Sequence, residues 1–399
     1  MSKWEEKRLQ DIIDVNPTVK LAKGKEYPFI DIDKVSPTLR SVTNEECKIY
    51  EGQSGSKFCN GDTVFSRITP CLENRKIAKV SIEADAAFGS TEFYIFRGKK
   101  GKADENFTYY LTSSDAVVLP AINSMTGASG RQRADRRFIQ RLKLNLPDLP
   151  TQTRIADILS AYDDLIENNN CRIALLEKTA QELYKEWFVR FRFPGHENTK
   201  FENGLPVGWS VKRLSDYGRI ETGKTPSTAN AENYGGKIMF IKTPDMHGNM
   251  FIIQTEERLT ERGHNTQPKK MLPPNSILVS CIGTAGVVAI NSEEAHTNQQ
   301  INSIVLSSLN YLEWLYFTCK SLKSMIELFG ATGATMTNLS KGKFEKLKVI
   351  DPGIELVEAY HCMVKEMFEE IKSLKNQNQN LAKQRDLLLP RLMSGKLEV

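Results

Sequence analysis

The sequence predicts an α+β chain built by duplication: a globular module, a long helix, a second module and a second long helix. Three observations carry this expectation. Residues 151–192 step alternately by four and three through Ile155, Leu159, Tyr162, Ile166, Asn169, Ile173, Leu176, Ala180, Leu183 and Trp187, mostly large apolar side chains. The same rhythm returns over 356–392 through Tyr360, Val364, Met367, Ile371, Leu374, Asn378, Leu381, Arg385 and Leu388. The positions from Val364 to Leu388 lie 205 residues after those from Leu159 to Leu183. Two unrelated amphipathic core helices would have no reason to share that spacing.

The residues between the seam positions are mostly charged or amide side chains, with Ile158, Leu165 and Leu175 widening the stripe. Such a heptad seam marks a helix of roughly 60 Å whose narrow apolar face needs a partner helix. That partner is expected at the end of the same chain. The central Asn169 and Asn378 are expected to fix register, because an amide in an apolar seam lowers stability but penalises slipped pairings.

The duplication extends beyond the helices. Trp4, Lys7, Arg8, Leu9 and Asp11 match Trp209, Lys212, Arg213, Leu214 and Asp216. The turn and apolar run at 61–66 resembles that at 274–280, and Gly89-Ser90-Thr91-Glu92 precedes FYIF as Thr297-Asn298-Gln299-Gln300 precedes INSIVL. Thr126-Gly127-Ala128 matches Thr332-Gly333-Ala334, and RLKL at 141–144 matches KLKV at 346–349. Expected boundaries are a module at 1–150, the first helix at 151–193, a linker at 194–205, a second module at 206–350, and the C-terminal helix and tail at 351–399. The modules carry short β-rich runs (KIAKVSI, EFYIF; KIMFI, SILVSCI, VVAI) between Gly, Pro and Asn turns. Each adds one amphipathic helical segment, near 107–123 and 311–329. Pro194-Gly195 is expected to end the first helix, and Pro390 to kink or stop the second.

Hydrophobic content of 40% and charged content of 26% are ordinary for a globular protein. No apolar run approaches a membrane span, MSKWEEKRLQ has no signal-peptide core, and the seven Cys fit reduced thiols in a cytoplasm better than a disulfide framework. The seven Cys form no CxxC pair, and no His cluster accompanies Cys47, Cys59 and Cys71, so no metal site is expected. A net charge of +5 permits a polyanionic partner without demanding one.

Catalytic signals are missing. GRIETGKT at 218–225 satisfies the P-loop pattern, but Pro226 follows directly and STANAENYGG has no helical apolar face. A loop is expected there instead of a phosphate cradle opening a helix. The five His are scattered, and the Asp163-Asp164 pair is expected on the solvated side of the long helix. No N-P-P-aromatic motif or Gly-rich loop for S-adenosylmethionine occurs. The residues read as a binding protein and not an enzyme.

The best binding signal is basic. RQRADRRFIQRLK supplies Arg131, Arg133, Arg136 and Arg137, and TNLSKGKFEKLK supplies Asn338, Lys341 and Lys343 at the matching place in the second module. Such clusters suit phosphate contacts, and an Arg can also hold guanine with two donors. Arg67, Arg75 and Lys76 form another basic loop, while the second module has SCIGTAG there, with Gly283 allowing close backbone approach. Lys242 and the amides Asn298, Gln299 and Gln300, of the kind that read adenine, complete the DNA-binding candidates. A solvated charged face is the competing account of the basic runs.

With these residues in view, the chain resembles the specificity (S) subunits of type I restriction–modification systems over essentially its whole length. The resemblance rests on QTRIADILS at 152–160, DDLIENN, LLEKTAQELYKEWFVRF, the LPVGW at 205–209, the GKTPST…YGGKI run at 223–238, and RDLLLPRLMSGKL. The first module starts at Trp4 without the LPxG lead, which suggests a slightly trimmed N-terminus. The resemblance implies two target-recognition domains joined by helices packed as an antiparallel coiled coil, each domain reading one half of a bipartite, asymmetric duplex DNA site. It implies helices that set the gap and dock two methyltransferase (M) subunits, with restriction (R) subunits joining the full complex. No cofactor is expected in this chain: S-adenosylmethionine belongs to M, and ATP and Mg to R.

From Ile155 to Trp187 is 32 residues, roughly 48 Å of helix against about 34 Å per DNA turn, so modules at opposite ends could address successive groove faces. Tyr184, Trp187, Phe188, Phe191 and Phe193 are expected to pack against a module or an M subunit. The subunit-interface candidates are Tyr184, Trp187, Phe188, Phe191, Leu389 and Leu392. Competing readings are an S subunit of a type IIB-like or solitary system, a P-loop nucleotide-binding protein, and a coiled-coil scaffold with no DNA footprint.

Overall fold

The computed structural model describes residues 4–43, 46–330 and 337–399. The chain divides into two compact units, Met1–Asn168 with Asn378–Val399, and Asn169–Gln377. Each unit holds one module and a stretch of each long helix.

In unit 1, a five-stranded sheet runs in the order Ile13–Val15, Phe93–Gly98, Thr63–Ser66, Ile77–Val80, Ser41–Val42. Its centre is apolar on both faces: Val64, Phe65, Phe93, Tyr94, Ile95 and Phe96 are all buried. A second sheet, Glu46–Tyr50, Lys25–Ile30, Ala86–Gly89, Ser56–Cys59, is half-covered. The expected helical segment is two helices, Glu105–Ser113 and Asp115–Asn123, separated at Ser114. Asp104 caps the first, accepting from the Phe107 amide at 2.9 Å. Phe107, Leu111, Val117 and Val118 join Ile155, Leu159 and Leu392 of the long helices in one apolar core.

Unit 2 repeats this order. Gly218–Thr222, Ile301–Leu306, Ile277–Ser280, Val288–Asn291 and Phe251–Ile252 form its five-stranded sheet, with Glu257–Leu259, Tyr234–Ile241 and Ala295–Thr297 as a second. Its helical segment is likewise two helices, Leu312–Ser321 and Lys323–Gly330. The repeat holds down to single hydrogen bonds. The Arg8 amide donates to Asp11 at 2.9 Å and the Leu9 amide to the Leu142 carbonyl at 2.9 Å. Arg213 donates to Asp216 at 2.9 Å and Leu214 to Leu347 at 3.0 Å, each 205 residues on.

The long helices are Leu149–Tyr184 and Ile354–Met393. Asp148 starts the first by accepting from the Thr151 amide at 3.1 Å. Within unit 2, Arg172 pairs with Glu370, and Tyr360 donates its hydroxyl to the Ala180 carbonyl at 2.8 Å. Partner numbers fall as the first helix advances, so the two pair antiparallel. The seam is buried at Ile166, Asn169, Ile173 and Ala180 on one helix, and at Tyr360, Val364, Ile371 and Leu374 on the other.

Several expectations are corrected. Leu165 and Leu175 do not widen the stripe; they are 53% and 65% exposed. Asp163 is not solvated: it is 2% exposed and bonded to Tyr110 and Arg385, while its neighbour Asp164 is exposed and bound to Arg40. The first helix ends before Pro194-Gly195. A π-turn, Lys185–Val189, follows Tyr184, and the chain leaves helical geometry at Phe191, whose φ is +57°. The extra residue in the π-turn rotates the stripe so that adjacent Trp187 and Phe188 both point inward. Pro390 does not stop the second helix, which continues to Met393 without the backbone donor that Pro lacks. In the P-loop look-alike, Gly218–Thr222 is a strand and only the residues after it are loop. No helix opens at Lys224 to aim amides at a phosphate.

Candidate nucleic-acid interface

In each module the loop leaving the third strand of the five-stranded order is stitched to the segment after the Thr-Gly-Ala motif. In unit 1 the Arg67 amide donates to the Glu92 carbonyl at 2.9 Å, and the Ala134 amide to the Arg67 carbonyl at 2.8 Å. Tyr94 donates its hydroxyl to the Ala134 carbonyl at 2.7 Å. In unit 2 Cys281 donates to Gln300 at 2.7 Å, Leu339 to Cys281 at 3.0 Å, and the Asn302 side chain to Leu339 at 3.3 Å. These bonds equate Arg67 with Cys281, Glu92 with Gln300, and Arg133 with Asn338. The second Thr-Gly-Ala copy, Thr332-Gly333-Ala334, lies outside the described residues.

The unit 1 candidates separate by what holds them. Arg133 places Nε and Nη2 on Glu92 at 2.9 and 2.6 Å, and Arg67 places Nε on the same carboxylate at 3.2 Å while lying over the Tyr94 ring. The two guanidiniums hold the Glu92 carboxyl below its usual range, the Arg133 hydrogen bond being the largest cause and burial opposing it. Arg75 binds the Ser113 carbonyl at 3.2 Å and the Asp115 carboxylate, at the start of a helix. Lys76 reaches the Ile32 carbonyl at 2.9 Å, and Arg136 the Val15 carbonyl at 2.7 Å. These three tie their own segments to others distant in sequence. Arg131 and Arg137 are exposed.

In unit 2, Gln299 is exposed and accepts from the Thr225 hydroxyl at 2.6 Å. That contact brings the P-loop look-alike to the amide cluster. Asn298 is buried and spends its side chain on Gln300, which also accepts from Thr243 at 3.2 Å. Asn298 is therefore a brace, and of the three amides Gln299 is the one presented. Gly223 underlies this corner, since a Cβ there would lie 2.2 Å from the Asn298 carbonyl oxygen. Gly283 has φ +76° and pairs with Thr337, next to Ile282 on Asn338, whose side chain is exposed. Lys242 is tied to Glu257 at 2.8 Å, Lys341 to Glu345 at 3.7 Å, and Lys343 to the Phe329 carbonyl at 3.3 Å.

The subunit-interface candidates are placed in module cores. Tyr184, Trp187 and Phe188 are under 9% exposed and pack in unit 2 around Tyr360, Trp314 and Trp209, with Phe191 against Trp209. Leu392 is fully buried in the unit 1 core and Leu389 packs beside it. An aromatic cluster at a helix end looks like a docking surface in sequence, but here the chain's own second module covers it.

Sequence reasoning missed Glu92, the hub of the arginine pair, and Thr225, which holds Gln299. The local sequence carries no signal for Glu92, because its two arginines lie 25 and 41 residues away along the chain. Among the described residues no group of three or more His, Cys, Asp or Glu is arranged to hold a metal, and no helix is long and apolar enough to cross a membrane.

Comparison with known proteins accords with this duplicated frame. The family described as Type I restriction modification DNA specificity domain matches residues 1–178 and again 206–383. The chain is 30% identical to the HindI type I restriction enzyme specificity subunit of Haemophilus influenzae, over all of both chains. It is 26% identical to the MjaIX specificity subunit of Methanocaldococcus jannaschii, over 99% of this chain and 94% of that one. The crystal structure of the type I restriction–modification system S subunit from M. genitalium aligns over 98% of this chain and 96% of that one, at 14% identity and a TM-score of 0.57, so the fold is shared. Two repeats in one frame, with full-length similarity to specificity subunits, place this chain in the type I restriction–modification DNA-specificity family.

Proposed function

We propose that this chain is the DNA-recognition subunit of a type I restriction–modification assembly, and that each module reads one half of a bipartite, asymmetric duplex site. The carrying observation is a single frame used twice with different side chains at matched positions: Arg67, Glu92 and Arg133 in one module, Cys281, Gln300 and Asn338 in the other. A shared frame supports one mode of docking on duplex, and different side chains support different half-sites. Exposed Arg131 and Arg137 would contact phosphates, which position without specifying. The chain itself would be non-catalytic and cytoplasmic. Methyl transfer with S-adenosylmethionine belongs to M subunits bound to it, and cleavage with ATP and Mg to R subunits.

The test is genome-wide adenine methylation by single-molecule sequencing, in the source strain and in a strain deleted for this gene. Loss of methylation at one bipartite motif with a fixed unread gap is expected. Unchanged methylation at every motif in a strain that makes the protein would overturn the reading.

A further inference from the structure

We infer that Glu92 and Arg133 form a buttressed guanine reader, so that the half-site read by the first module contains a guanine recognised by Arg133. This rests on the DNA-recognition reading above. The geometry that points to it is the use of guanidinium edges. Arg133 gives its Nε–Nη2 edge to Glu92 at 2.9 and 2.6 Å. Among the described residues Nη1 has no hydrogen-bond partner, on a side chain that is 44% exposed. A fork of two parallel donors matches the O6 and N7 acceptors of guanine in the major groove, and no other base offers that pair.

The mount for this fork is stiff. Arg133 exchanges backbone hydrogen bonds with Thr126 at 2.9 and 3.1 Å and bridges Ile68, and the next amide, Ala134, is held by Arg67. A long side chain normally loses much rotamer freedom on binding, and one already fixed at both ends loses little.

A simple surface ion pair would cancel the arginine. Here one carboxylate is shared by two arginines, Arg67 at 3.2 Å being the second, so the cluster keeps a net positive charge toward an anionic duplex. The equivalent place in the second module is Cys281, Gln300 and Asn338, with no guanidinium, so this reader belongs to one half-site alone.

The experiment is selection from a random-sequence duplex pool by the full chain in complex with its methyltransferase subunits, as wild type, Arg133→Ala and Glu92→Gln. The wild-type pool is expected to hold an invariant guanine in one half-site. Both variants lose preference for that guanine, by about five- to hundredfold, while the other half-site is still selected. Glu92→Gln removes a negative charge, so its overall affinity for duplex stays level or rises even as discrimination falls, which a folding defect would not do. 7-Deazaguanine at that position weakens wild type by a similar factor and leaves Arg133→Ala unaffected. Retention of the guanine at wild-type strength by either variant overturns the assignment while leaving DNA recognition intact. A wild-type pool without any motif overturns both.

Discussion

Arg385 of the second long helix pairs with Asp163 of the first inside unit 1, where their side chains are 17% and 3% exposed. Tyr110 donates its hydroxyl to the other Asp163 oxygen at 2.5 Å. Burial first, then the Asp163 charge, pushes the Tyr110 hydroxyl well above its usual range, so it remains a donor. Removing Asp163 leaves the Arg385 charge with only the exposed Asp386, at 2.8 Å, and the buried Tyr110 hydroxyl without its acceptor. Asp163→Ala should destabilise unit 1 by about 3–5 kcal/mol, and the double change to Leu at 163 and 385 should restore most of that. Hydrogen exchange resolved by mass spectrometry checks it, because unit 1 peptides should lose protection while unit 2 peptides do not.

Trp187 is 6% exposed against Tyr360 in the unit 2 core. Trp187→Ala should cost about 3–5 kcal/mol in unit 2 stability, measured by urea unfolding followed by circular dichroism. A cost under about 0.5 kcal/mol, the range for surface changes, would mean that the side chain is not a core residue.

His296 is fully buried, with His264 Nδ1 3.0 Å from its Nε2. Burial, then the neighbouring His264, lowers its pKa to about 4 from the ordinary 6.5. The unfolded chain therefore binds the proton more readily, and stability falls as pH drops from about 6.5 toward 4, by up to about 3 kcal/mol, with no further loss from this group below. His296→Gln should unfold with a flatter stability profile between pH 6.5 and 5, by about one proton. An unchanged slope would show that another group carries the dependence.

Arg131 and Arg137 are exposed in the basic segment, as Arg133 and Arg136 are, but the latter two are tied to Glu92 and to the Val15 carbonyl. If both meet phosphates, replacing both by Ala lowers the slope of log affinity against log salt by about 1.8. Binding weakens for every duplex sequence alike, and the selected motif is unchanged. Titration of one cognate and one random duplex at several salt concentrations reads both effects.

Much of the architecture was legible because duplication and heptad spacing are statements about one residue and its periodic neighbours. The 205-residue offset found both modules, and it found Arg8–Asp11 and Arg213–Asp216 as the same local turn before either bond was visible. The interface was legible as regions and not as roles. Arg75, Lys76 and Arg136 look like free cations in sequence, but each is spent on a backbone carbonyl. Arg385 in a mostly apolar seam signals a buried partner, yet nothing in the sequence says that the partner is Asp163.

What the sequence by itself determined is the family, the repeat and the long helices, since period and spacing are written along the chain. The tertiary structure alone decided which side chains are braces and which are presented. Hydrogen bonds between residues far apart in sequence, such as Glu92 with Arg133 or Thr225 with Gln299, depend on strand order and loop stitching. So does burial: Trp187 and Phe188 become core because the second module folds over them and a π-turn sets their phase.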